Sequence, residues 1–331
     1  MALKENDVNW FRPLWRRVAV VIFLAVWLGW EVFFTGEQIW MILVGAALAY
    51  SLYNFFYAFP KEETKNEQIP LLVRSTNKTG KIHDVTPASA GWTHVGFGLH
   101  KLAPGEAYGE ATGEREVCLV LVSGKGRFAV DGEDFGELGE RMSPFEGAPW
   151  ALYVPAGRNW AVDATTDLEL AVCSAPGGGD FHAKAIAPGT HSRISRGKGA
   201  NVRHVYNIMP EDDGSANALL VVEVITPEGN TSSYPPHKHD QDNLPHESQL
   251  EETYYHRINP PQGFAFQRVY TDDRSLDEAM AVEDGDVTLV PRGYHPVATT
   301  AGYDLYYLNV MAGPKRVWKF HNAPEHEWLL K

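Results

Sequence analysis

The residues best suited to chemistry lie in the last third of the chain. His237, His239 and His295 stand there with two adjacent carboxylates, Glu251 and Glu252. Three imidazoles and one carboxylate converging on a point make a ligand set that a divalent transition metal takes, commonly with a position left for water or substrate. His237 and His239 are two apart in PPHKHD, so on an extended strand both rings leave the same face. The carboxylate follows the insertion 240–250, and His295 closes the run VPRGYH on a strand later still. Taken singly, any one of the thirteen histidines is more often a core or surface residue than a ligand. His-x-His, then Glu, then Pro-x-Gly-x-His within one β-rich stretch is a much narrower pattern. His246, His256, His321 and His326 fall outside it, although period-two alternation puts His256 on the strand face of Glu252 and Tyr254.

Ligands drawn from three strands require a sheet that wraps around an interior. After residue 70 the chain reads as short β-rich runs broken by Gly, Pro and Asp: CLVLVSGKGRFAVDG, WALYVPAG and LELAVCSAPG, then LLVVEVITPEG, FAFQRVY, DVTLVPRGYHPV and DLYYLNVMAG. Such spacing predicts an all-β barrel or sandwich. The runs also repeat. Gly105 opens a stretch that ends in Glu116 and CLVLV, followed by VPAGRNW; Gly229 opens one that ends in Glu252 and TYYHRI, followed by VPRGYH. One plan is used twice, over 70–190 and 191–331. In the first half Ala111 and Gly113 fall where the histidine pair would be, and Trp160 where the later histidine would be. Glu116 alone cannot hold a metal, so one metal per chain is expected, in the second half.

The front of the chain is different in kind. Residues 18–34 and 39–59 are apolar runs separated by Thr35-Gly36-Glu37-Gln38, each close to the ~20 residues that span a bilayer core. Two long runs, with Trp and Tyr near their ends, predict a transmembrane hairpin over 1–60 (helices about 15–35 and 39–59) rather than a signal peptide. Residues 61–69 read as a polar linker. Lys4, Arg12, Arg16 and Arg17 precede the first helix, Lys61 and Lys65 follow the second, and the turn has no basic residue. The positive-inside rule therefore places both termini and the soluble body in the cytoplasm, on the inner membrane. Glu31, four residues from the turn, is expected near the outer interface, and the hairpin is read as a tether.

The 331 residues suffice for two domains and an appendage. The formal charge of −13 belongs entirely to residues 75–331, because residues 1–74 carry seven basic and seven acidic side chains. A body that acidic argues against a nucleic-acid partner, and an anionic ligand would need a local cluster of Arg or Lys. Cys118 and Cys173 sit in apolar runs and are expected as buried thiols of a reducing compartment.

The repeated plan resembles the cupin barrel, whose motifs are Gly, His-x-His and a Glu at a strand start, then Gly-x5-Pro-x-Gly leading to another His. GDVTLVP over 285–291 fits the Gly-x5-Pro spacing, although His295 follows Gly293 by two positions rather than three and the motif's later Asn is missing. The resemblance selects Glu252, immediately before the strand, over Glu251. It implies a mainly β fold: two tandem cupin (jelly-roll-like) barrels behind the hairpin, the N-terminal one without ligands.

From about residue 72 onward the chain resembles, more specifically, the 5-deoxy-glucuronate isomerase family of bacterial myo-inositol catabolism. GEREVCLVLVSGKG, VDGEDFGELGER, SSYPPHKHD, EETYYHRINPPQGFAFQRVYTDDRSLDE, VPRGYHPV, GYDLYYLNVMAGP and HEWLLK carry the likeness. It implies an aldose–ketose isomerisation of 5-deoxy-D-glucuronate to 2-deoxy-5-keto-D-gluconate, without an organic cofactor. A divalent ion, zinc first with manganese or iron as alternatives, would sit on His237, His239, Glu252 and His295 and stabilise an enediolate. Lys238, Tyr254 and His256 are the candidates for proton transfer or hydroxyl contacts. Arg268 and Arg292 are the candidates for the substrate carboxylate. The partners implied are a small sugar acid and the membrane, with a homo-oligomer compatible. Three alternatives stand beside this reading: an isomerase of the 4-deoxy-5-keto-uronate from pectin breakdown, a non-catalytic sugar-acid sensor, and an Fe(II) dioxygenase.

Overall fold

The computed structural model of the chain describes residues 10–11, 14–57, 69–75 and 78–330, in two compact units divided between Gln68 and Ile69. In the first, an α-helix over Leu14–Trp30 continues into a π-helical turn, Glu31–Thr35, and a second α-helix over Gln38–Leu52 ends in another, Tyr53–Tyr57. Leu14–Thr35 (22 residues, mean hydropathy 2.2) and Gln38–Tyr57 (20 residues, 1.6) are both long and apolar enough to cross a bilayer. Gly36 reverses the chain at φ +68°, and its N–H donates to the Glu31 carbonyl at 2.8 Å. The Glu31 carboxylate is buried and partnered, accepting from Trp27 Nε1 at 3.0 Å and from Thr35 Oγ1. Arg17 Nη1 donates to the Phe55 carbonyl at 3.0 Å and so joins the two helices. Lys4, Arg12, Lys61, Lys65 and most of the expected linker lie outside the described residues.

The second unit contains one strand plan twice. In the first half a large sheet runs in the order Lys184–Ile186, Trp150–Val154, Arg115–Ser123, Leu168–Pro176, Gly96–Leu102, Gly80–Val85. A smaller sheet runs Ala107–Ala111, Asn159–Ala164, Gly126–Val130, Glu133–Leu138. The second half repeats this with Val287–Val290, Glu251–Asn259, Asp304–Ala312, Leu220–Thr226, Arg203–Met209 and Arg193–Arg196 in the large sheet. Its small sheet is Thr231–Ser232, Val297–Thr299, Phe264–Tyr270, Asp277–Glu283. At the free edge of the second large sheet lies Leu72–Val73, which pairs with Val287–Val290 although it precedes every strand of the first half's sheets in sequence.

Strand alternation assigns each face. Val117, Leu119 and Leu121 join Phe128, Trp160 and Val162 in an apolar cluster inside the first barrel. Cys118, Val120 and Val122, pointing the other way, join a core shared with Val222, Tyr255 and Leu308 of the second half. Both cysteines are buried free thiols. Each fully buried aliphatic or aromatic side chain contributes about 1.5–3 kcal/mol, and the interior of the first barrel is lined with them. Ala111 and Gly113 are exposed at its surface.

Carboxylates lock the halves together in matching fashion. Glu251 accepts from the backbone N–H groups of Thr93, His94 and Val95 at 2.7, 2.7 and 3.0 Å. Glu116 accepts from those of Asn217, Ala218 and Leu219 at 2.8, 2.7 and 2.7 Å, and from the Tyr153 hydroxyl at 2.7 Å. The register corrects the sequence alignment by one residue. Val117 pairs with Val154 as Glu252 pairs with Val290, each just before a proline, so Glu116 corresponds to Glu251 and the counterpart of Glu252 is a valine. Arg141 adds a bidentate pair to Glu223, both Nη–Oε distances 2.8 Å, and Tyr255 and Arg257 both donate to Glu169 at 2.6 Å.

Candidate metal centre

Three elements of the second barrel converge at its interior. The short strand His237–Lys238 pairs with His321–Asn322. The chain then makes a small hairpin, Asp240–Asn243 with Glu247–Gln249, and returns so that Leu250 N donates to the His239 carbonyl at 2.8 Å. Glu252 follows on the Glu251–Asn259 strand, held between Val290 and Met311. His295 sits in a turn that Gly293 makes possible: φ is +89°, and a Cβ there would stand 2.4 Å from the Tyr270 carbonyl oxygen. Asp240 ties the two loops together by accepting from Gly293 N at 2.8 Å.

His239, Glu252 and His295 are buried, with ligand atoms all within 4.8 Å of one another. Glu252 Oε2 lies 3.1 Å from His239 Nε2 and 3.2 Å from His295 Nε2. The opposite ring nitrogens are turned to carbonyls, His239 Nδ1 to Leu250 O at 3.2 Å and His295 Nδ1 to Gly293 O at 2.9 Å. That arrangement puts the proton on Nδ1 and leaves Nε2 as the lone-pair donor, the usual state of a metal-ligating imidazole. Among the described residues His295 Nε2 has no hydrogen-bond partner, as expected of an atom that completes its valence on a cation. The residues fit a divalent metal. His237 stands further out on the cavity side, its ring centroid 5.0 Å from that of His295, 6.4 Å from that of His239 and 4.6 Å from that of Phe320.

Electrostatics favours neutral rings at His295 and His237. Burial pushes His295 down to about 3, and burial reinforced by the neighbouring His239 takes His237 to about 3. Burial also opposes a proton on His239, but the hydrogen bond and charge of Glu252 outweigh it and raise its pKa.

The remaining sequence candidates separate. Tyr254 lines the cavity, its hydroxyl 3.0 Å from Ser233 Oγ. His256 lies deeper, Nε2 3.1 Å from Gln267 Oε1 and 3.2 Å from Thr288 Oγ1, and burial lowers its pKa to about 4. The structure does not bring Lys238 to the cavity, because alternation turns it away from the flanking histidines. Its Nζ is held by Asp240 at 2.8 Å, Glu247 at 3.4 Å and Asp272 at 3.5 Å. Nor does it bring Arg268 or Arg292 there. Arg268 points outward into a bidentate pair with Asp277 at 2.8 and 2.7 Å, while exposed Arg292 reaches Ser275 Oγ at 3.4 Å.

The cavity beside the cluster measures about 790 Å³ and is bounded by His237, Glu252, Tyr254, Tyr307 and Asn309, by apolar side chains including Val222, Trp318 and Phe320, and by Arg196, Lys198 and Arg203. Sequence reasoning missed these three cations. The available signal was the run RISRGKGANVR, the basic stretch of an otherwise acidic body.

A family model described as the KduI/IolB family matches residues 71–329. The chain is 55% identical over 258 residues to the 5-deoxy-glucuronate isomerase of Geobacillus kaustophilus, covering 78% of this chain and 93% of that protein. To the 5-deoxy-glucuronate isomerase of Bacillus subtilis it is 49% identical over 257 residues, covering 77% and 95%. The crystal structure of an IolB-like protein from Salmonella typhimurium superposes with a TM-score of 0.78 at 52% identity, covering 79% of this chain and 100% of that one. Oxalate decarboxylase of Bacillus subtilis shares the fold alone, with a TM-score of 0.54 at 12% identity and coverage of 76% and 79%.

Proposed function

The chain belongs to the KduI/IolB family, and from that premise we infer that it isomerises 5-deoxy-glucuronate in its C-terminal barrel, around a divalent ion held by His237, His239, Glu252 and His295. It is an isomerase acting on a small sugar acid, as relatives at 49–55% identity over most of their length are. The observation that carries the site assignment is the orphaned His295 Nε2 facing Glu252 beside a cavity of sugar-acid size. When bound, the ion, for which zinc suits the N/O donor set, supplies a Lewis acid that acidifies the C–H next to a carbonyl.

The protein's own groups do the rest. The Nδ1–carbonyl bonds fix the rings, and Glu252 places one negative charge among neutral imidazoles. Apolar Trp318 and Phe320 form part of the cavity wall. Tyr254 Oη, paired with Ser233, faces the substrate and exchanges hydrogen bonds, and at need a proton, with its oxygens. His256 supports Tyr254 from below, their ring centroids 5.9 Å apart. The N-terminal barrel is a packing partner, and the apolar hairpin tethers the body to the inner membrane with both termini in the cytoplasm.

Assaying purified, metal-loaded protein with 5-deoxy-glucuronate and with the 4-deoxy-5-keto-uronate of pectin breakdown tests the reading. Turnover of the former alone is expected; turnover of the latter alone, or binding without turnover, overturns it. Elemental analysis of the same sample identifies the ion. Recovery of the full-length chain wholly in the soluble fraction of lysed cells would remove the tether.

A further inference from the structure

Charge lining the cavity is distributed unlike charge in the rest of the chain. The whole carries −13, yet the cavity wall holds Arg196, Lys198 and Arg203 against a single carboxylate, Glu252. Elsewhere Arg141 is matched with Glu223 and Arg257 with Glu169 and Asp284, while half-buried Arg115 and Arg316, which have no carboxylate partner among the described residues, spend several donors each on Ser174 and on backbone carbonyls. Among the described residues no carboxylate pairs with any of the three cavity cations. Arg196 and Arg203 are half-buried, and leaving partly desolvated cations unmatched costs free energy that a bound anion offsets.

The turn that carries them is built for Arg203. Its Nη1 donates to Asn201 O at 3.1 Å and Asn201 Oδ1 at 3.2 Å, and Asn201 Nδ2 donates in turn to the Tyr234 carbonyl at 2.8 Å. Gly197, at φ +86°, is required beneath it: a Cβ there would meet Asn201 O at 1.9 Å and Arg203 Nη1 at 3.0 Å. Among the described residues the guanidinium is thus held through Nη1, and its other N–H groups make no hydrogen bond. Burial works to lower its pKa, as for a cation kept short of water.

We propose that Arg203, flanked by Arg196 and Lys198, receives the substrate carboxylate, so that an open-chain sugar acid lies with its anionic end on the 196–203 turn and its carbonyl end toward Glu252 and the histidines. The polarity matches the chemistry, since the carbonyl and the carboxylate of a uronic acid are at opposite ends of the chain. The chemical half of this picture rests on the isomerase reading above; the binding half does not.

Calorimetry on the full-length, metal-loaded protein tests it, with D-gluconate as the anionic probe and D-glucitol as its uncharged counterpart. Wild type should bind gluconate in clear preference to glucitol. Arg203→Met should weaken gluconate by about 10- to 100-fold, the worth of charge-assisted hydrogen bonds, with glucitol unaffected and metal content unchanged. Arg203→Lys should recover part of the loss, and exposed Lys198→Met, which leaves the fold alone, should cost about 3-fold. No preference for gluconate in wild type, or equal gluconate affinity in Arg203→Met and Lys198→Met as in wild type, overturns the clamp. Absence of 5-deoxy-glucuronate turnover with gluconate discrimination intact would instead overturn the reaction assigned and leave the clamp standing. In the enzyme assay Arg203→Met should raise KM far more than it lowers kcat.

Discussion

Glu252 and its neighbour Glu251 face opposite ways and serve opposite ends of the molecule: one closes on His239 and His295, the other on three backbone N–H groups of the first barrel. Their substitutions should therefore separate cleanly. Glu252→Gln should lose metal affinity by at least about 10-fold with little change in melting once the ion is removed from both proteins. Glu251→Gln should keep its metal and lose about 2–4 kcal/mol of stability, because it weakens charge-assisted bonds at a buried junction. Metal content and chemical denaturation of the two variants, side by side, decide this; an exchange of phenotypes would show that the ligand is Glu251.

Arg141→Met should destabilise the body by about 3–5 kcal/mol, since it strands the fully buried Glu223 carboxylate. Adding Glu223→Leu should recover much of the loss, because the pair is then replaced by apolar volume. If the double variant proves as unstable as the single one, the cost is in packing rather than in unpaired charge.

Among the proton-transfer candidates, Tyr254→Phe should lower kcat by about 100-fold with metal retained, since Tyr254 lines the cavity and its hydroxyl pairs with Ser233, another lining residue. Lys238→Met should act differently. By releasing Asp240 and Glu247 it loosens the loop that positions His239, so weaker metal binding should precede any change in kcat at saturating metal. A kcat collapse in metal-saturated Lys238→Met would put that amine in the chemistry.

His256 and His100 are both buried, and burial lowers each to about 4 from an unfolded value near 6.5. Below pH 6.5 the unfolded chain binds protons that the folded chain refuses. Stability is therefore full above 6.5 and declines as pH falls toward 4, by about 3 kcal/mol for His256. Urea denaturation between pH 7.5 and 4.5 should show this slope, and it should be shallower in His256→Gln. An unchanged slope would mean that His256 is not the titrating group.

Much of the proposed site could be read from sequence because metal ligation demands particular residue types at particular spacings, and the structure brings three of the four expected ligands, His239, Glu252 and His295, within 4.8 Å of one another. What escaped was directional. A Glu-Glu doublet does not say which member faces inward until its strand partners are known, and so Glu116 was matched to the wrong one. For Arg268 the parity was available: in FAFQRVY, Ala265, Gln267 and Val269 are buried while Phe264, Phe266 and Arg268 are exposed, so an inward Gln267 excludes an inward Arg268. Arg203 offered no such clue. It reaches the cavity from a glycine turn whose course depends on tertiary contacts.

The paired clamps, Glu251 on residues 93–95 and Glu116 on residues 217–219, have the form of an isologous interface: a patch on one partner meets its own equivalent on the other, and each contact is made twice. A symmetric dimer of one barrel, joined into a single chain, has this geometry. Once the two copies are covalently joined, each can change without changing the other. One copy has its interior filled with Phe128, Trp160 and leucines, while the other keeps the polar lining that a reactive cavity requires.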